Sequence, residues 1–251
     1  MDGSNLVQLV SEMRAAFGKN KIITVASQAD MMKAKDEDIK GLFDHIDMFN
    51  LMTYDYTVSD IEDSPVTAPN EPLYPPTEDN VAQKDSVSTT IDGYLNAGIP
   101  ASKLSVGIAY YGHSWYVPGM TLQSDWCKYG LTATKQGKCC GPFASTMGAQ
   151  CGKFSGLCGS YMYSEFETAG FETCFHNATQ SNIGYMINPK DGYTESGVWV
   201  SYLDTDGVKA IVDYAKKKEL GGAFAFDISM DSQSGGAFTY KLTKEIAQLI
   251  E

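Results

Sequence analysis

Three short stretches of the chain carry residues able to do chemistry together. MTYDY, residues 52–56, sets Tyr54, Asp55 and Tyr56 side by side. YYGH, residues 110–113, adds Tyr110, Tyr111 and His113, and Phe226 and Asp227 stand together further on. Aromatic faces stack on the CH faces of pyranose rings, and carboxylates accept hydrogen bonds from sugar hydroxyls. A carbohydrate is therefore the ligand class that these residue types suit. Other chemistry is not signalled. His45, His113 and His176 are scattered and form no metal-binding set, so neither a metal nor another cofactor is expected. The sequence holds no GxSxG elbow, no P-loop and no GxGxxG.

The elements that must position these residues can be read from periodicity. Leu6, Leu9, Val10, Met13 and Phe17 recur at helical spacing, with Gly18 as a stop. KIITVAS (21–27) is a short β-branched run suited to a buried strand. Ile39, Leu42, Phe43 and Ile46 share one helical face, and DMFNLMTYDY (47–56) is the next strand. A loop rich in Pro, Asp and Thr runs from about Thr57 to Gln83. Val87, Ile91, Tyr94 and Leu95 then mark a helix, and KLSVGIAYYG (103–112) a third strand. Residues 114–197 are rich in Gly, Cys and aromatics and lack helical periodicity. Val208, Ile211, Val212 and Ala215 mark a further helix, GGAFAFDIS (221–229) a fourth strand, and the tail from Gly235 to Glu251 a final helix. Strand alternating with helix predicts parallel strands with crossover helices. The three parts are residues 1–113, an inserted region at 114–197, and residues 198–251.

Composition bounds the partners. The chain has 251 residues, a net charge of -12, and Arg14 as its only arginine, which argues against nucleic acid. No apolar run approaches the ~20 residues that span a bilayer. The N-terminal MDGSNLVQLV does not read as a secretory signal. Cys127, Cys139, Cys140, Cys151, Cys158 and Cys174 nevertheless cluster in one window. An even, clustered set reads first as a disulfide framework with 15 possible pairings, ahead of a zinc site or idle thiols. Asn177-Ala-Thr179 is a glycosylation sequon. Together these predict an extracellular or secretory-pathway protein, with any signal peptide lying outside this chain.

MTYDY, NEPLY in the loop after it, KLSVGIAYYGHSW and LGGAFAFDISMD resemble the C-terminal half of glycoside hydrolase family 18, the chitinases and chitinase-like lectins, and the insertion before GVWVSYLDTDGVK is similar to the small α+β domain that many of these enzymes carry. The CGPF and CGKFSGLCGSYMYSE segments look more like fungal or protist members. The resemblance implies an α/β fold: the C-terminal half of a TIM (β/α)₈ barrel with a cysteine-rich α+β insertion domain. It implies chitin or chitooligosaccharide as ligand, β-1,4-linked N-acetylglucosamine. Family hydrolysis is substrate-assisted: a glutamate protonates the glycosidic oxygen while the substrate's acetamido oxygen attacks the anomeric carbon. By resemblance, Tyr54 holds the acetamido group and Asp55 binds hydroxyls. Met52, Asn70, Tyr111, His113 and Phe226 line the same cleft.

The sequence departs from the family at three points. The DxxDxDxE motif that carries the acid does not occur; DTDG (204–207) and DISMD (227–231) are the nearest strings, and neither ends in glutamate. His113 stands where the family often has arginine, and Phe226 where it usually has tryptophan. Glu165 and Glu167, in the inserted region, are expected to be solvated or at the cleft rim. Without the acid, this chain alone is expected to be inactive. Four β/α units fall short of the eight a barrel needs. A missing N-terminal half-barrel, or another polypeptide, is therefore the expected protein partner. Two other readings stay open: a non-catalytic chitooligosaccharide-binding lectin, and a structural half-barrel in a larger assembly.

Overall fold

A computed structural model of the chain describes residues 2–29, 39–59, 66–118, 126–133, 159–187 and 196–248. Two sheets dominate. The first is parallel, in the order β1 (Thr24–Gln28), β2 (Met48–Met52), β3 (Leu104–Ala109) and β9 (Gly222–Phe226). The second is antiparallel, in the order β5 (Ser160–Met162), β4 (Tyr111–Pro118), β8 (Ser196–Tyr202), β7 (Ser181–Ile187) and β6 (Glu172–His176). All five of its strands lie, in sequence, between β3 and β9. A small hairpin of β10 (Gln233–Ser234) and β11 (Ala237–Phe238) follows.

Helices α1 (Asp2–Phe17), α2 (Ile39–Phe43), α3 (Val87–Asn96), α5 (Thr205–Lys217) and α6 (Lys241–Ala247) alternate with the parallel strands or follow them, and α4 (Tyr163–Ala169) belongs to the inserted region. The alternation is the mixed α/β pattern expected of crossover connections. No described helix is long and apolar enough to cross a membrane. The apolar stripe of α3 is the one its periodicity predicts, with Val87, Ile91 and Tyr94 fully buried. A capping box starts it: the Ser86 hydroxyl accepts from Thr89 N (3.2 Å), and Ser86 N donates to the Thr89 hydroxyl (2.8 Å). On α5, Val208, Ile211, Val212 and Ala215 are buried likewise, and Asp204 accepts from Thr205 N at its start.

Helix α1 departs from its predicted face. Val10 is buried, but Leu9 and Phe17 are 53% and 52% exposed. The helix leans on α2, so only a narrow stripe is covered. Arg14 fastens its C-terminal end. The guanidinium donates to the His45 carbonyl (2.9 Å) and to Asp47 Oδ2 (2.6 Å), and that same oxygen accepts from Ile23 N (2.7 Å). These bonds hold Asp47 below the ordinary aspartate range, the Ile23 amide first and Arg14 second. The sole arginine thus sets the starts of β1 and β2.

Strand 103–112 of the sequence reading divides in two. β3 ends at Ala109, and Tyr110 makes the change of sheet: its N–H donates to the Phe226 carbonyl and its carbonyl accepts from Tyr163 N. Tyr111 then opens β4 in the antiparallel sheet. Strand 221–229 stops at Phe226, because Asp227 caps a 3₁₀ turn at 228–230 by accepting from Ser229 N (2.8 Å). The tail predicted as one helix holds a hairpin before α6. The antiparallel sheet packs on a second core of Trp115, Trp199, Tyr129, Ile183 and Tyr185. Cys127 and Cys174 form a disulfide that ties residues 126–133 to β6. Cys139, Cys140, Cys151 and Cys158 lie outside the described residues.

Candidate active-site cleft

Parallel pairing aligns the C-terminal ends of the strands. Gln28 pairs with Met52 and Ala109 with Phe226, so whatever follows these residues meets at one end of the sheet. After β2 the chain runs Thr53, Tyr54, Asp55. The Thr53 hydroxyl donates to the Gly107 carbonyl (2.7 Å) and accepts from Gly107 N (3.0 Å), locking this exit against β3. Gly107 is required there: a Cβ would sit 2.6 Å from the Leu51 carbonyl and 2.9 Å from the Tyr54 ring. Asp55 adopts φ 59°, a left-handed conformation that aspartate tolerates better than most residues. Its amide is held by Asn70 Oδ1 at 3.1 Å.

Asp55 is the centre of the cleft. Tyr111 OH donates to its Oδ1 at 2.7 Å, and His113 Nε2 reaches the same oxygen at 2.8 Å. A carboxylate has no proton to give, so Nε2 is the donor. Tyr111 and His113 are two apart on β4 and share a face. Burial pushes the Asp55 carboxyl up, but the His113 and Tyr111 bonds outweigh it and hold the group below the ordinary aspartate range. Its side chain is 44% exposed.

Three rings stand around this carboxylate. Tyr54 lies 6.1 Å from Tyr111 and 6.0 Å from Phe226, and Tyr111 lies 6.3 Å from Phe226. Phe226 is half exposed. Burial first, then the nearby carboxylates Glu71 and Asp55, push the Tyr54 hydroxyl up to about 12. It therefore stays an O–H donor at neutral pH. A cleft of about 270 Å³ opens beside the group, lined by Gln28, Met52, Tyr54, Asp55, Tyr56 and Gln83.

The structure thus brings together Met52, Tyr54, Asp55, Asn70, Tyr111, His113 and Phe226. Two other tyrosines of these stretches spend their hydroxyls on the core, although Tyr56 also borders the cleft. Tyr56 is buried and bonds Thr90 (2.8 Å), and Tyr110 is fully buried against Thr243 (3.1 Å). Asp204 of DTDG and Asp231 of DISMD have structural employment. Asp204 caps α5 and accepts from Tyr163 OH (2.6 Å), while fully buried Asp231 accepts from Leu242 N (3.2 Å) and Thr243 N (3.0 Å) at the start of α6. Glu165 corrects its expected place at the rim. It is 6% exposed and accepts from Met162 N (2.9 Å), because its position in the first turn of α4 lets it reach back to the helix start. The side chain of Glu167 lies outside the described residues.

The family model for glycosyl hydrolases family 18 matches residues 1–231. The chain belongs to this family. Chitinase 63 of Streptomyces plicatus is 30% identical over 233 residues, a match that covers 90% of the chain and 32% of that relative. Among solved structures, an immunomodulatory active chitinase from Trichuris suis superposes with a TM-score of 0.79 at 20% identity, covering all of the chain and 66% of its own. Human YKL-39, a pseudo-chitinase with retained chitooligosaccharide binding, gives 0.78 at 20% identity, covering 99% and 65%. The chain therefore spans about a third of the length of that Streptomyces chitinase and under two thirds of either YKL-39 or the Trichuris chitinase. These structural likenesses establish the shared fold.

Sequence reasoning missed Gln28, Gln83 and, above all, Glu71. Glu71 is 1% exposed; its Oε2 accepts from Ala109 N at 2.8 Å, and its buried Oε1 has no hydrogen-bond partner among the described residues. The signal was present, since Glu71 directly follows Asn70 in NEPLY. It was overlooked because a glutamate in a polar loop ordinarily faces water.

Proposed function

We propose that the chain is a chitooligosaccharide-binding member of the family, supplying the ligand-contact side of a chitinase cleft without the acid that cuts. The convergence of Tyr54, Tyr111, His113 and Phe226 around the Asp55 carboxylate carries this reading. Tyr54 donates its hydroxyl to the acetamido oxygen of an N-acetylglucosamine unit. Asp55, kept ionised, accepts from sugar hydroxyls; both protein donors occupy its Oδ1, so Oδ2 is the oxygen available to a ligand. Phe226 offers a ring for the sugar to stack on, Met52 lines the pocket, and Asn70 borders it while holding the Asp55 amide. His113 stands where the family often has arginine, and with Nε2 already engaged on Asp55 it offers a ligand fewer donors than a guanidinium would, which weakens the grip.

Hydrolysis needs a proton on the leaving oxygen. The 251 residues contain no DxxDxDxE, and a missing general acid removes roughly 10²–10⁴-fold of rate. We therefore assign this chain binding without turnover. The four parallel strands are read as half of a TIM barrel, with the antiparallel sheet as the α+β insertion domain. Strands β1 and β9, each with one neighbour among the described residues, are the edges at which four further β/α units would join, on the same polypeptide or another. Joined to such units, the cleft would be that of a chitinase; alone, it is a lectin-like site. The Cys127–Cys174 disulfide and the exposed Asn177 in the β6–β7 turn support an extracellular setting. The test is calorimetric titration with tetra-N-acetylchitotetraose. The wild-type chain binds, and Asp55→Ala weakens binding by more than tenfold. Equal affinity of the two would place the ligand elsewhere.

A further inference from the structure

We propose that Glu71 is a positioning residue of this cleft, held as a neutral carboxylic acid that braces the strand ends and leaves Asp55 without a second charge beside it. The geometry points to this in two steps. Asn70 and Glu71 are consecutive and reach three strand ends between them. Asn70 Oδ1 accepts from Asp55 N (3.1 Å), Asn70 Nδ2 donates to the Tyr111 carbonyl (3.3 Å), and Glu71 Oε2 accepts from Ala109 N (2.8 Å). Asn70 N is itself fixed on the Ser201 hydroxyl at 2.9 Å. This pair of residues thus holds together the exit of β2, the end of β3 and the start of β4.

The second step is charge. An ionised carboxylate at 1% exposure needs a cation or several donors. Glu71 has one donor, the Ala109 amide, and no ion pair among the described residues. Its Oε1 is without a partner. The titratable groups near it are Tyr54, Asp55 and Tyr56 after β2, and Tyr110 and Tyr111 after β3. His113 joins the group only through Asp55. No lysine or arginine is among these neighbours, and Asp55 is an anion. Burial, then Asp55, accordingly lifts the Glu71 carboxyl well above the ordinary glutamate range, against the pull of the Ala109 amide. With Oε2 accepting, the proton belongs on Oε1. Ionisation would put a second negative charge beside Asp55 and its two donors. The carboxyl is thus an alkaline-side control on the site.

The ligand readout rests on the function proposed above; the protonation readout does not. Glu71→Gln copies the protonated acid and cannot ionise, and Glu71→Ala removes the brace. At neutral pH, Glu71→Ala weakens tetra-N-acetylchitotetraose binding about tenfold, the order of one lost buried hydrogen bond, and Glu71→Gln restores it. As pH rises through the folded Glu71 value, wild-type affinity falls and that of Glu71→Gln does not. Glu71→Gln failing as Glu71→Ala does, or an identical alkaline profile in wild type and Glu71→Gln, overturns the proposal. Infrared difference spectra give the second readout: the C=O stretch of a protonated carboxyl is present in wild type at neutral pH, absent in Glu71→Gln, and lost as the pH is raised. Its absence at neutral pH overturns the proposal whether or not sugar binds. If the band is present and no variant binds the tetrasaccharide, the function proposed above fails while Glu71 keeps its neutral state.

Discussion

At the scale of single residues, the cleft separates two oxygens by their chemistry. The Tyr54 hydroxyl is kept protonated by burial first and by the Asp55 charge, and Asp55 is kept ionised by Tyr111 and His113 despite partial burial. One donates and the other accepts. Tyr54→Phe removes only the hydroxyl and should weaken tetrasaccharide binding about five- to tenfold, the order of one neutral hydrogen bond. Asp55→Ala costs more, because a charged acceptor is lost and Tyr111 and His113 lose their shared partner. The pH dependence has a definite sign. Asp55 titrates lower in the fold than in the unfolded chain, so its contribution to stability is present above the ordinary aspartate range and is lost as pH falls through the folded value. Glu71 has the opposite sign, and its contribution is lost as pH rises through its raised value. Thermal unfolding across pH should show Asp55→Asn flattening the acid limb and Glu71→Gln flattening the alkaline one. Unchanged limbs would contradict these assignments.

At the scale of elements, the site depends on two sheets meeting at Tyr110. Gly107 permits the close contact of β2, β3 and the Tyr54 ring. Gly107→Ala should destabilise the fold by about 1–3 kcal/mol, as overpacking does, and should weaken ligand binding because Tyr54 must move. Chemical denaturation with a parallel binding titration checks both, and full stability in the variant would contradict the contact. Cys174→Ser opens a bridge of sequence separation 47 and should cost about 2–4 kcal/mol of stability while leaving the Asp55 cluster in place. The parallel elements were legible because α3 and α5 repeat apolar residues at helical spacing and the strands are short apolar runs. The break after Ala109 was not legible: residues 103–112 read as one strand, and only the tertiary bonds of Tyr110 to Phe226 and Tyr163 divide it. Sequence spacing likewise could not tell Tyr111, which bonds Asp55, from its neighbour Tyr110, which is fully buried against Thr243.

At the scale of the whole molecule, β1 and β9 are the outer strands of the parallel sheet among the described residues, and sheet edges invite pairing. Purified alone, the chain should associate with itself as concentration rises; sedimentation as a strict monomer throughout would contradict the half-barrel reading. The family was readable from MTYDY, NEPLY and YYGHSW, of which Asp55, Asn70, Tyr111 and His113 are joined by hydrogen bonds. Glu71 follows Asn70 directly in NEPLY, but its burial beneath them is a property of the assembled strand ends. The central claim is that this chain holds chitooligosaccharide without cutting it. Incubation of the purified chain with tetra-N-acetylchitotetraose, followed by calorimetry for binding and mass spectrometry for products, tests it most directly. The account predicts saturable binding that Asp55→Ala weakens more than tenfold, and an intact tetrasaccharide. Release of shorter oligosaccharides by the chain alone, or failure to bind at all, would contradict it.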